Sequence, residues 1–218
     1  LKLILKGIIK GCSLSKCELS GGETAEMPGI YDNTKFDLAG FAVGVVERKR
    51  LLSKKNVKVK DVILAIPSNG VHSNGYSLIR SIIKKTKISK KIKEELLKPT
   101  KIYSREVLKL CEKNLINSGA HITGGGLIEN ILRSVPNEYS IEIDLSKIKI
   151  NNIFKWVKRN NISDKEMLST FNCGVGFCLI TNSKNVTKIQ KHFSNNYKPY
   201  VIGNITRGKS NIYGKLRW

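Results

Sequence analysis

Acidic residues are scarce in this 218-residue chain: 17 Asp and Glu stand against 39 Lys and Arg, for a formal net charge of +22. Arginine is scarce as well, at 8 of the 39 basic residues. A Lys-rich, Arg-poor excess lacks the planar forks that read phosphates and base edges. The lysines are scattered, apart from Lys84 to Lys93, and no exposed aromatics interleave with them. Nucleic acid is therefore set aside as the principal partner. Lys, Ile and Asn enriched together read as a coding bias, although the positive field helps to draw in anionic nucleotides.

The five cysteines (12, 17, 111, 173 and 178) contain no CxxC pair. No pairing is evident from their spacing, and an odd number of scattered thiols suits a reducing cytoplasm. Cys12 and Cys17 span a helix-to-strand junction with no matching second pair, so they read as buried apolar thiols rather than a metal pair. No apolar run approaches membrane-spanning length, and Leu1 to Ile9 is broken by Lys2 and Lys6. No small-residue cleavage site follows that stretch, which excludes a signal peptide. P-loop, dinucleotide fingerprint, internal repeat and low-complexity tail are all missing. With 40% hydrophobic residues, the length suffices for a buried core, as one large domain or two small ones.

What the chain does have is glycine in three informative places. Gly21-Gly-Glu-Thr-Ala-Glu-Met-Pro-Gly29 sets Glu23 and Glu26 in a glycine-flanked turn, where Gly21 and Gly22 allow positive φ and close backbone approach. Such a turn suits a hydrated divalent cation beside a phosphate chain, or is a surface turn with two solvated glutamates. Ser68-Asn-Gly-Val-His-Ser-Asn-Gly-Tyr-Ser-Leu78 joins an apolar strand to an apolar helix, and His121-Ile-Thr-Gly-Gly-Gly126 runs into another helical pattern. Both aim free backbone N–H groups and a positive helix end at an anion.

The remaining pattern predicts a mixed α/β order. A helix at 1–14, strands at 17–20 and 38–47 and a polar linker at 51–60 come first. Strand 61–66 follows, with helices at 75–85, 90–98, 103–116 and 126–133. The chain closes with strand 139–144, helices 151–159 and 164–170, strand 173–181, helix 184–194 and strands 199–205 and 211–216. His192 at a lysine-rich helix end reads as structural, and Phe154, Trp156 and Val157 read as helix packing.

These segments carry a resemblance. Gly21–Gly29, His72-Ser-Asn-Gly-Tyr-Ser-Leu78, Leu97-Lys-Pro-Thr-Lys-Ile-Tyr103, His121–Gly126 and Phe171-Asn-Cys-Gly-Val-Gly176 occur in one order, and together they resemble the phosphoribosylformylglycinamidine cyclo-ligase (aminoimidazole ribonucleotide synthetase) family of purine biosynthesis. The likeness covers almost the whole chain. Selenophosphate synthetase, thiamine-phosphate kinase and the larger synthase of the preceding purine step share the architecture, but the Ala-Glu-Met-Pro-Gly turn and the intact His72–Leu78 block favour the cyclo-ligase. Leu132, Lys60 and Phe177 depart from the usual proline, glycine and methionine, at scaffold positions. The chain also opens at Leu1, without the Asp- and Gly-rich Thr-Asp-Gly-Val-Gly-Thr-Lys stretch that handles ATP and metal in the family. The expectation is a fragment lacking part of its nucleotide site.

The resemblance implies an α/β protein in two parts: residues 1–55 as the remainder of a barrel-forming ATP-binding and dimerisation domain, and residues 60–218 as a complete C-terminal α/β domain. It implies ATP, Mg²⁺, formylglycinamidine ribonucleotide and a cytoplasmic homodimer, with no membrane partner. The activity implied is ATP-dependent ring closure to aminoimidazole ribonucleotide; the alternative is a catalytically incomplete binding fragment. On that chemistry Glu23 and then Glu26 are the metal-side carboxylates, and Gly21 and Gly22 approach the nucleotide. His72 and Asn74 meet substrate or transferring phosphate, and either His72 or His121 is the general acid or base. Thr123, Gly124, Gly125 and Gly126 supply phosphate-cradling N–H groups, and Asn172 and Gly174 finish the pocket.

Overall fold

The computed structural model describes residues 1–31 and 35–218, and the chain divides into two units, Leu1–Leu51 and Leu52–Trp218. The first unit begins with helix α1 (Lys2–Ser15), which ends where Lys16 turns left-handed (φ 58°) and the Cys17 N–H reaches back to the Cys12 carbonyl at 3.0 Å. α1 buries none of its residues. The strands expected at 17–20 and 38–47 do not form: neither stretch pairs in a ladder. A strand needs a neighbour for its N–H and C=O groups, and none of this unit's described residues provides one. Phe41, Val43 and Val45 accordingly stand 94%, 86% and 101% exposed. The expectation of buried thiols at 12 and 17 fails for the same reason, since Cys12 is half-buried and Cys17 is exposed.

The second unit holds a six-stranded sheet in the order β2-β4-β1-β5-β3-β6. Its strands are β1 (Val62–Pro67), β2 (Ser118–His121), β3 (Ser140–Asp144), β4 (Val175–Thr181), β5 (Tyr200–Thr206) and β6 (Asn211–Tyr213). All neighbours are antiparallel except β3 and β6. The central strand alternates in the way a sheet covered on both faces requires. Ile63 and Ala65 enter one core, with Ile180 and Cys178 beside them; Leu64 and Ile66 enter another, with Leu179.

The larger core is roofed by α2 (Tyr76–Lys85), α3 (Lys90–Leu96), α5 (Gly126–Arg133), α6 (Asn152–Lys158) and α7 (Asp164–Thr170). The smaller lies under α4 (Ser104–Glu112) and α8 (Val186–Gln190). Local signals explain the helix ends. Ser163 accepts the Glu166 N–H at 3.1 Å to start α7, within a Ser-x-x-Glu box. α4 stops four residues short of the expected 116 because Asn114 turns left-handed (φ 52°) and the Leu115 N–H returns to the Leu110 carbonyl. Phe154 and Val157 are fully buried, as expected of packing residues. The expected linker 51–60 is partly built into this unit: Val57 is buried, and the Lys60 N–H bonds the Ile205 carbonyl at 2.9 Å. Among the described residues no helix is long and apolar enough to cross a membrane.

Candidate functional site

The loop from β1 to α2 turns on itself. His72 and Ser73 both take positive φ (53° and 57°), a conformation that costs non-glycine residues energy and is retained where surroundings over-determine it. The turn drives the His72 ring inward, to 3% exposure. There its Nε2 accepts the Asn69 N–H at 2.9 Å and the Lys101 N–H at 3.4 Å. Its Nδ1 is buried and has no hydrogen-bond partner among the described residues. Asn74 holds the turn by donating its side-chain N–H to the His72 carbonyl at 2.8 Å.

Three other rings gather round it. His121, exposed at the end of β2, lies 6.4 Å from His72 between ring centres and stacks on Phe177 at 6.0 Å and 23°. Tyr103 is buried 6.1 Å from both histidines and donates its hydroxyl proton to the Pro67 carbonyl at 2.8 Å. The absent side chain of Gly176 on β4 makes this cluster possible: a Cβ there would overlap the Tyr103 hydroxyl and sit 2.7 Å from His72 Cε1. Lys101, mostly buried, packs its ammonium over the Tyr197 ring at 4.3 Å and the Tyr103 ring at 5.2 Å, and reaches Glu106 at 3.3 Å. Lys101, Tyr103 and Phe177 join the site although no glycine turn points to them; the lysine and the aromatic that close Leu97–Tyr103 are the available signal.

Electrostatics follow burial. Desolvation first, then the neighbouring His121 and Lys101, push the His72 imidazole from its ordinary 6.5 down to about 4. Burial also lowers His121 and raises the Tyr103 phenol. His72 is thus neutral in the fold while an unfolded chain would protonate it below pH 6.5. The unfolded state then binds more protons, so stability falls as pH drops from about 6.5 to about 4 and is flat for this group outside that window. The loss is on the order of 3 kcal/mol. Urea midpoints across this window should fall less steeply for His72→Gln than for the parent, and equal slopes would refute the assignment.

The triple-glycine loop adjoins this cluster, since Asn74 Oδ1 lies 4.0 Å from the place a Gly124 Cβ would occupy. Gly125 and Gly126 both take positive φ (91° and 69°), and the Gly126 N–H closes a turn onto the Thr123 carbonyl. The Asn130 amide, from α5, gathers the Gly124 and Gly126 carbonyls at 3.1 and 2.6 Å. The carbonyls are drawn inward, while the Thr123, Gly124 and Gly125 N–H groups find no acceptor among the described residues. α2 and α5 both begin at left-handed glycines, Gly75 and Gly125, with no side-chain cap. The Glu129 carboxylate stands against Gly125 and is paired with Arg133.

Asn172 and Gly174 lie behind the β1–α2 loop. The Asn172 side chain donates to the Gly70 carbonyl and accepts the Gly174 N–H, both at 2.9 Å, which commits most of it to the chain itself. Gly174 (φ 105°) passes so close to the Lys149 carbonyl that a Cβ would overlap it. In the other unit, Glu23 and Glu26 are exposed, and Gly21 and Gly22 have nothing within 4 Å of a built Cβ. Gly29 takes positive φ (84°), in a turn closed by the Ile30 N–H on the Met27 carbonyl. No three His, Cys, Asp or Glu side chains among the described residues converge as a metal site.

Residues 58–215 match the family described as AIR synthase related protein, C-terminal domain. A phosphoribosylformylglycinamidine cyclo-ligase from Clostridium perfringens is 44% identical over 214 residues, covering 96% of this chain and 64% of that protein. The chain thus spans less than two thirds of the curated relative it matches. Thiamine-monophosphate kinase from Stenotrophomonas maltophilia superposes with a TM-score of 0.54 at 16% identity, over 79% of this chain and 56% of the kinase. The PurL protein of Thermotoga maritima complexed with AMPPCP gives 0.51 at 13% identity, over 78% of this chain and 26% of PurL. At such identities the two structures share a fold with this chain and nothing finer.

Proposed function

This chain belongs to the AIR synthase related family through its C-terminal domain, and on that premise we propose that it is part of a cyclo-ligase that closes the imidazole ring of aminoimidazole ribonucleotide in purine biosynthesis. The observation that carries the reading is the 44% identity to a protein of that name across 96% of the chain. The substrate would be formylglycinamidine ribonucleotide and the setting a cytoplasmic homodimer. Unit 2 would supply the substrate side of the site.

The free N–H groups of Thr123, Gly124 and Gly125 fit an anionic phosphate, and the uncapped start of α5 adds to that attraction. ATP, when bound, supplies the phosphoryl group that turns the formamide oxygen into a leaving group. In this scheme Asn74 and the two histidines face the reacting end of the substrate, with a group among them to manage the proton released on ring closure. Phe177 and Tyr103 would keep water away from that end and fix the imidazoles. Asn172 and Gly174 would act at one remove, by holding the β1–α2 loop. Glu23 and Glu26 do not fit Mg²⁺ as they stand: both are exposed and unpaired, and no third ligand converges on them among the described residues.

The chain has three histidines, which makes the test direct. Formylglycinamidine ribonucleotide added to the 218-residue chain should shift the imidazole NMR signals of His72 and His121 and leave His192 in place. If all three stay still, or His192 alone moves, the reading is wrong.

A further inference from the structure

A neutral imidazole carries one N–H and one lone pair, and the groups around it decide which nitrogen has which. At His72 two main-chain donors, the N–H groups of Asn69 and Lys101, converge on Nε2. A main-chain N–H cannot reverse its role, so Nε2 must be the acceptor and the ring proton must reside on Nδ1. That proton has no in-chain taker: the buried Nδ1 has no partner among the described residues, so neither the Tyr103 oxygen nor Asn74 Oδ1 accepts from it. A buried donor without a partner costs the fold stability, and such groups in native structures call for a ligand or a functional explanation.

We propose that His72 is a fixed hydrogen-bond donor rather than a general acid or base, presenting Nδ1–H to an oxygen of the bound substrate, and that Lys101 is the positioning residue that keeps it so. This rests on the substrate-side reading given above and assigns a role within it. Lys101 acts twice, through its main-chain N–H on Nε2 and through a buried ammonium that opposes a second positive charge on the ring. The charged and titratable groups facing His72 are His121 from β2, Lys101 and Tyr103 from the segment before α4, and Glu106 from α4, which pairs with Lys101. His121, exposed to solvent, is then the imidazole free to exchange protons.

Long-range proton–nitrogen correlation spectra of the chain labelled in its histidines read the tautomer of each ring, with signals assigned by His121→Gln and His192→Gln. At neutral pH, His72 should show a protonated Nδ1 and a bare Nε2; a protonated Nε2, or a doubly protonated ring, overturns the proposal. Lys101→Met paired with Glu106→Gln removes both partners of the ion pair together. It should raise the pH at which His72 gains its second proton, whereas an unchanged titration in a folded variant overturns the role of Lys101. Formylglycinamidine ribonucleotide then separates the two levels. A shift at His121 without one at His72 Nδ1 refutes the donor role while leaving the substrate site in place. No shift at either ring refutes both.

Discussion

Phe171→Ala is expected to lower the folding stability of unit 2 by about 3–5 kcal/mol, the range for removing a fully buried aromatic ring. Phe171 has no exposure at all and lies 5.9 Å from the Phe154 ring. Its edge also fills the space in which a side chain on Gly75 would stand, so the left-handed start of α2 rests on it. The cavity opened by the alanine would border both α2 and the core strands. Those neighbours are held by their own hydrogen bonds, which limits their collapse into the gap. Urea unfolding followed through Trp156 and Trp218, both in unit 2, measures the loss. A midpoint shift worth less than about 1 kcal/mol would mean that the ring is not packed as described. Because α2 begins just beyond His72, the same variant should also broaden the His72 ring signals in the folded state.

Gly176→Ala is the second large effect and acts on the site itself. The added methyl would overlap the Tyr103 hydroxyl and press on His72 Cε1, and neither ring has room to retreat: Tyr103 is pinned to Pro67, and His72 to Asn69. A destabilisation of about 1–3 kcal/mol is expected from overpacking of this kind. The His72 signals should change, because the methyl presses directly on that ring. Two comparisons sharpen the result. Gly119→Ala meets the edge of the Phe177 ring at 2.9 Å, which can rotate away, and the Cys178 carbonyl oxygen at 3.4 Å, so its effect should be smaller. Gly44→Ala meets nothing within 4 Å and should be close to neutral. If Gly176→Ala behaves like Gly44→Ala, the His72–Tyr103 packing described above is wrong.

Much of the second unit was legible because its signals were local. The Gly-Gly-Gly start and the apolar spacing after it mark α5 at 126–133, and the helix expected at 164–170 is α7; both ranges agree with the structure. β2 went unrecognised because Ser-Gly-Ala-His has no β-branched residue, and the pairing with β4 alone makes it a strand. The strands expected in the first unit show the converse. Residues 38–47 have the composition of a strand, yet composition cannot supply the neighbour that a ladder needs.

The candidate site divides in the same way. Glycine punctuation led to His72, His121 and the 123–126 loop, which the fold brings side by side. What punctuation could not reveal is orientation. Asn172 looks from the sequence like another pocket residue, and only the fold shows its amide turned onto Gly70 and Gly174. Lys101 looks like one more solvated lysine in a chain full of them, and only the fold places it between two tyrosine rings.

The grip on His72 Nε2 comes from the main chain at positions 69 and 101, not from side chains. That difference governs how sequences can drift. Nineteen of the twenty amino acids carry the required N–H, so a mutation at position 69 leaves the ring held unless it introduces proline. Such a lock is invisible to any search for invariant side chains, and its signature in a set of related sequences would be a forbidden residue rather than a required one.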